Sequence, residues 1–481
     1  MQESAPRARG DQDLELVAGA SGLGPSGQDA RGGVCVSTTE STGLTHALAE
    51  RSSALRYEDI PGDVREIARQ CLLDWFGVTL GGSVEQAPRA LLSLLASDGA
   101  ADRARASVVG HRQRLAPAQA ALVNGTASHV LDFDDVNITL PGHVSVAILG
   151  GALALAEQLD ASACDLLTAF VAGYETACAI AVAVGPEPYL RGFHATGTIG
   201  TFGAAAACAR LLALDPERTA IATGIAASQA AGLKCNFGTM TKSLHAGRAC
   251  EAGLLAALLA AHGFTANPSA IEAGQGFAAA GGGEPAGARS DFSRWHLREN
   301  LFKYHAACFF AHSTLEGLRE LIRARPLAAA EVEQISVHVS ELELGACAIP
   351  EPDTGLEVKF SLAHLAAMAL LGRATSTISD EDARAPDVIA LRSRVVLVED
   401  GTVGAPTRIE VRLRDGEVLS ACQGVSRPER ELGLQRQRLV GKFNALAEPI
   451  LGRESARRLL DALGSLEDGA RARELLALAR P

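Results

Sequence analysis

Four separated stretches of this chain carry bases, acids and ammonium groups at spacings suited to anion binding and proton transfer. The first, Lys234 to Arg248, runs from a polar loop with Asn236 and Gly238 into an Ala/Leu-rich segment that ends at Gly263. Ser243 stands where a helix N-cap is expected, which puts Lys242 just ahead of the helix start. Free backbone N–H groups, the positive end of the helix dipole and an ammonium would converge there, a seat for a carboxylate or a phosphate. His245 and Arg248, three residues apart, add donors to the same face. Of the 44 basic residues only Lys234, Lys242, Lys303, Lys359 and Lys442 are lysine. In so arginine-biased a chain, a lysine in a Gly/Thr loop points to a compact point charge. A surface lysine near a helix end is the other reading of the same residues.

The second stretch is acidic: Asp132, Asp134 and Asp135 follow a helical segment, and Pro141-Gly142-His143 comes shortly after. A magnesium-holding D-D-x-x-D spacing would need an aspartate at Ile138, so no metal is expected. An aspartate paired with His143 would instead orient the imidazole for proton transfer. Capping of loops and helix ends by these carboxylates stays open. The third, Arg191 to Gly197, places His194 near the N-terminus of an Ala-rich helix, where the dipole favours a neutral ring able to accept a proton. The fourth brings Lys303 to the edge of a second domain, followed by Cys308 and His312. That pair is four residues apart and reads either as nucleophile and base or as a buried structural thiol.

Helices must position most of these groups. Hydrophobic residues make up 47% of the 481, yet aromatics only 4%, so the core is built from Ala, Leu and Val in closely packed helices. Helices are expected at about 85–97, 115–131, 145–159, 162–183, 200–213, 216–231 and 244–262. After Gly281-Gly282-Gly283 the pattern changes: Gln334–Glu341 and Arg408–Ser420 alternate as strands, the latter turning at Asp415-Gly416. The expected architecture is mainly α: a large all-helical domain over 41–285, completed by 425–481, with a smaller inserted α+β lid domain over 286–424. Residues 1–40, rich in Gly, Ser, Arg and Asp, read as a disordered extension.

A net charge of −12 argues against a nucleic-acid surface, and the apolar runs at 147–155 and 253–261 are too short or interrupted to span a membrane. Ten scattered cysteines without a C-x-x-C pair fit a reducing, cytoplasmic compartment.

Five motifs in order, Asp132-Phe133-Asp134-Asp135 with His143, Gly192-Phe193-His194, Thr239 to Lys242 with His245, Lys303 to Cys308 and Lys359-Phe360-Ser361, resemble the MmgE/PrpD family over about residues 42–450. The family includes 2-methylcitrate dehydratase, cis-aconitate decarboxylase and iminodisuccinate epimerase. The resemblance implies a helical domain with an α+β lid, usually a homodimer, a site between the two and no cofactor. It makes Asp132, His143, His194, Lys242 and Lys303 the catalytic candidates, and His245, Arg248 and His364 substrate-binding ones. His364 falls where decarboxylase members carry a tyrosine, and Val136 where a threonine is common. The Asn236 to Lys242 wording is closer to the epimerase branch.

The implied chemistry is removal of a proton next to a carboxylate of a small di- or tricarboxylate. Fixed cations such as Lys242 and Lys303 stabilise the charge that develops, a neutral His194 or His143 moves the proton, and Asp132 positions the ring. A dehydratase-type lyase is the expectation. An epimerase or isomerase, a decarboxylase, or a non-catalytic carboxylate-binding relative are the alternatives.

Overall fold

A computed structural model describes residues 43–96, 106–283, 294–402 and 404–481. The extension expected over 1–40 and the point where the second domain was expected to start both lie outside these residues. The fold is mainly α with small sheets. The first core is a stack of helices: Gly62–Gly82, Pro117–His129, Ser145–Leu159, Ala163–Val184, Ala195–Leu211 and Met240–Ala261. Alanine and glycine dominate their contact faces, so backbones approach closely. Where Pro117–His129 crosses Met240–Ala261, a Cβ on Gly125 would lie 2.8 Å from Gly247 Cα, and one on Gly247 2.3 Å from the Leu122 carbonyl oxygen. No side chain larger than hydrogen fits that crossing. It brings the start of one helix beside the end of the other.

Helix ends follow local chemistry. Ser162 and Asp215 accept from Asp165 N and Arg218 N, capping their helices as such residues do. The helix carrying Lys242 starts four residues earlier than its sequence suggests: Thr239 is the cap, accepting from Thr241 N at 3.3 Å, while Ser243 Oγ donates back to Met240 O. Lys242 therefore sits in the first turn. Ala163–Val184 and Met240–Ala261 are long and apolar enough to cross a membrane by length and composition, unlike the shorter runs singled out in the sequence. In the structure 94% and 61% of their apolar windows are buried inside the protein.

The first core is not wholly helical. Strands β1 (Ala106–Ser107) and β2 (Arg114–Leu115) pair, as do β3 (Val136–Asn137) and β4 (Asn300–Leu301). The second pairing, Val136 opposite Leu301 and Asn137 opposite Asn300, ties the acidic run to the segment that leads into Lys303.

A separate core surrounds β5 (Val332–Val339), β6 (Val395–Glu399), β7 (Thr407–Leu413) and β8 (Val418–Gln423), ordered β6-β5-β7-β8. β5 is parallel to β6 and antiparallel to β7, which forms a hairpin with β8. Ile335, Val337 and Val339 point inward with Ile409, Val411 and Leu413, against helices His312–Ala324 and Leu362–Leu370. Gly416, at φ +90°, makes the hairpin turn. The final helices, Leu432–Leu451, Arg453–Gly464 and Ala472–Leu478, pack Leu439, Phe443, Leu459 and Leu475 back into the first core.

Candidate active site

The site is built on the reversal that follows helix Pro117–His129. Val130 ends the helix, Asp132 N donates to His129 O, and Asp132 itself is left-handed at φ +51°, a conformation aspartate tolerates better than most residues. The reversal turns Asp132 and Asp134 inward beside His129. Four of the five lysines grip it. Lys242 Nζ and Lys303 Nζ lie 2.9 and 2.8 Å from the same oxygen, Asp132 Oδ1. Lys303 also donates to Asp132 O and Ala307 O. Lys359, from the second core, donates to Leu131 O at 2.8 Å. Lys442 pairs with Asp74 at 2.6 Å and donates to Phe133 O and Lys303 O.

Four imidazoles adjoin this charge cluster. His143 Nδ1 is 2.7 Å from Asp134 Oδ2, and His129 Nδ1 lies 3.0 Å from the same carboxylate. His143 Nε2 faces Asp132 Oδ1 at 3.5 Å. His129 lies edge-on to His143 at 4.4 Å and stacks with His194 at 5.8 Å. His194, at the N-cap of Ala195–Leu211, meets His245 Nδ1 to Nδ1 at 3.0 Å. Phe237 from the helical side and Phe360 from the second core lie 5.6 Å apart, their ring centroids 5.3 and 4.6 Å from Lys242 Nζ.

Burial and charge set the protonation states. Burial alone would raise the Asp132 carboxyl, but Lys242 and Lys303 hold it well below the usual carboxylate range. Asp134 is likewise held down, against its own burial, by His129 and His143. Burial pushes His143 down to about 3, with Asp134 opposing, and His245 down to about 4. His194 falls well below its ordinary value through burial and the nearby Lys242, and His129 is lowered by burial. The four rings are neutral near pH 7. A neutral ring bonded to a carboxylate through Nδ1 carries its hydrogen there, so Asp134 leaves the Nε2 atom of His129 as the basic one. His129 Nε2 and Asp132 Oδ2 are buried without a hydrogen-bond partner among the described residues, and so is His143 Nδ1, whose close approach to Asp134 lacks hydrogen-bond geometry.

Asp132, His143, His194, Lys242, Lys303 and His245 come together here. Arg248 and His364 do not. Arg248 is exposed and pairs with Glu251, because six helical residues beyond Lys242 at about 100° each turn it to another face. His364 is buried in the second core with Nε2 3.0 Å from Asp382 O. Asp134, not Asp132, orients an imidazole, and His129 is a member that spacing along the sequence missed. Its signal was faint: His129 and Asp134 are five apart across a reversal, where neither helical nor strand period applies. Cys308 and His312 do not pair either. Cys308 is buried, and its backbone N–H donates to Lys359 O, while His312 Nε2 contacts Ala307 O at 3.3 Å.

His129, Asp132, Asp134 and His143 offer ligand atoms within 4.8 Å of one another. Two ammonium groups already occupy Asp132 Oδ1 and supply positive charge there, while Asp132 Oδ2 has no partner among the described residues. Cavities of about 780 and 760 Å³ lie elsewhere, and neither is lined by the cluster. The cluster is therefore a closed, charged interior whose cations already meet a carboxylate.

Known proteins resemble this chain over most of its length. The cis-aconitate decarboxylase of Aspergillus terreus is 27% identical over 470 residues, 89% of this chain and 94% of its own. A cis-aconitate decarboxylase-like protein of Aspergillus oryzae is 28% identical over 488 residues, 92% and 99%. The mouse cis-aconitate decarboxylase is 29% identical over 377 residues, 74% and 77%. Residues 46–286 match the MmgE/PrpD N-terminal domain and 305–468 the MmgE/PrpD C-terminal domain. With both halves matched in order, the chain belongs to the MmgE/PrpD family.

Proposed function

We propose that the protein is a cofactor-independent lyase that removes a proton next to a carboxylate of a small di- or tricarboxylate and expels a β-hydroxyl as water. The observation that carries this reading is the pair of ammonium groups on one buried carboxylate oxygen among neutral imidazoles. A substrate carboxylate brought to Lys242 and Lys303 gains most from them as the neighbouring C–H breaks, because negative charge then builds on its oxygens in a water-poor interior. His143 or His194 takes the proton on nitrogen. The C–H electron pair becomes a C=C bond as the β-C–O bond breaks, and the oxygen leaves as water with a second proton. Substrate reaches the cluster when the walls bearing Phe237 and Phe360 part. The reading includes a cytoplasmic homodimer, checked by light scattering in solution.

Decarboxylation is the second reading, favoured by the curated relatives, which are named cis-aconitate decarboxylases or decarboxylase-like. There a C–C bond releases carbon dioxide and the electron pair left on carbon is protonated from the same rings. Methylcitrate, citrate, cis-aconitate and an amino-diacid, each incubated in heavy water, separate the outcomes. Elimination raises ultraviolet absorbance, decarboxylation releases carbon dioxide, and epimerisation exchanges deuterium without either. Silence from all four substrates would sink the lyase reading.

A further inference from the structure

The segment that delivers Lys303 to the cluster has a second face. Tyr304 and His305 turn from the cluster toward a cavity of about 760 Å³ between the final helices and the second core. That volume lies in the range of small-molecule and cofactor sites. Four guanidinium groups line it: Arg323, Arg427, Arg430 and Arg438. Arg427 and Arg430 have neither hydrogen bond nor ion pair among the described residues, and Arg438 lies flat on the Tyr304 ring at 3.5 Å. Two carboxylates also line it. Glu316 bonds His305 Nε2 at 2.8 Å and lies 3.5 Å from Arg319, and Glu429 accepts from Glu431 N. Asn300, 3% exposed, also borders the cavity, with its amide oxygen accepting from the buried Tyr174 hydroxyl at 2.7 Å.

A nucleotide-sized space lined by four arginines and two glutamates, with two of the planar forks uncommitted, is chemically an anion site. Guanidinium groups favour the bidentate geometry of phosphate oxygens, and an Arg-backed tyrosine ring offers an aromatic face beside them. We propose that this cavity binds a diphosphate-bearing small molecule of nucleotide size, separately from the cluster around Asp132. Because Lys303 and Tyr304 are adjacent, an occupied cavity restrains the segment that holds Lys303 Nζ on Asp132.

The test is titration calorimetry of the full chain with inorganic pyrophosphate and with ADP, repeated on the double variant Arg427→Ala/Arg430→Ala. Both positions are exposed, so the variant keeps its melting temperature, which is measured alongside. The expected result is saturable, salt-weakened binding by the native chain that falls at least about tenfold in the variant. ADP binding tighter than pyrophosphate identifies a nucleotide, and equal affinity a simpler diphosphate. No saturable heat from either probe up to about 5 mM, or undiminished binding by the folded double variant, overturns the proposal.

Discussion

Asp134→Asn tests the arrangement most directly. In the native protein both Asp134 oxygens accept from His129 Nδ1, so His129 keeps hydrogen there and presents a basic Nε2. An asparagine of the same shape offers one acceptor oxygen and one NH2 donor. Where the NH2 group faces His129, the ring must turn its Nδ1 lone pair to that donor and move its hydrogen to Nε2, converting a base into a donor. A hydrogen bond to a charged acceptor contributes about 1.5–3 kcal/mol, and about 1.36 kcal/mol is a tenfold change in rate. Loss of that bond therefore predicts a fall in turnover of about 10- to 100-fold. The assay is deuterium wash-in at the carbon beside the substrate carboxylate, with nitrogen-15 histidine spectra reporting the tautomers. Turnover within about threefold of native, with a ring demonstrably switched to the Nε2–H form, would refute the assignment of the basic atom.

Lys242→Ala should lower turnover at least about 100-fold while leaving the chain folded, because Lys303 still pairs with Asp132; an unchanged rate in the folded variant removes Lys242 from the chemistry. Gly247→Ala drives a methyl into the Leu122 carbonyl and Thr126, and a loss of about 1–3 kcal/mol in denaturant unfolding is expected. Asp135 is buried and raised to about 7 by burial and by Asp74, so its protonated form belongs to the native state. Its contribution is complete below about pH 4 and is lost as pH rises through about 7. The melting-temperature gain of Asp135→Asn over the native chain should accordingly grow between those values and level off above them. Because ammonium groups already neutralise Asp132, exhaustive treatment with a chelator should leave turnover unchanged in a calibrated rate assay.

Helix existence, strand alternation and the hairpin at Asp415-Gly416 could be read from the sequence because each depends on neighbours within a few residues. Caps, glycine and proline punctuation and apolar period act locally. The scarcity of lysine marked Lys242 and Lys303 for the same reason of composition, without any knowledge of their partners. Which groups meet was decided by tertiary contacts: the Gly125/Gly247 crossing that sets one helix end against another, and the β3–β4 register that carries Lys303 to Asp132. Neither contact has a periodic signature. The orienting role passed from Asp132 to Asp134, and Arg248 and His364 left the site, because side-chain direction depends on the turn at Asp132, the helical angle after Lys242 and the second core around His364. Residue types and order came from the sequence; the shared carboxylate oxygen and its surrounding neutral rings exist only once distant segments are packed together and water is excluded.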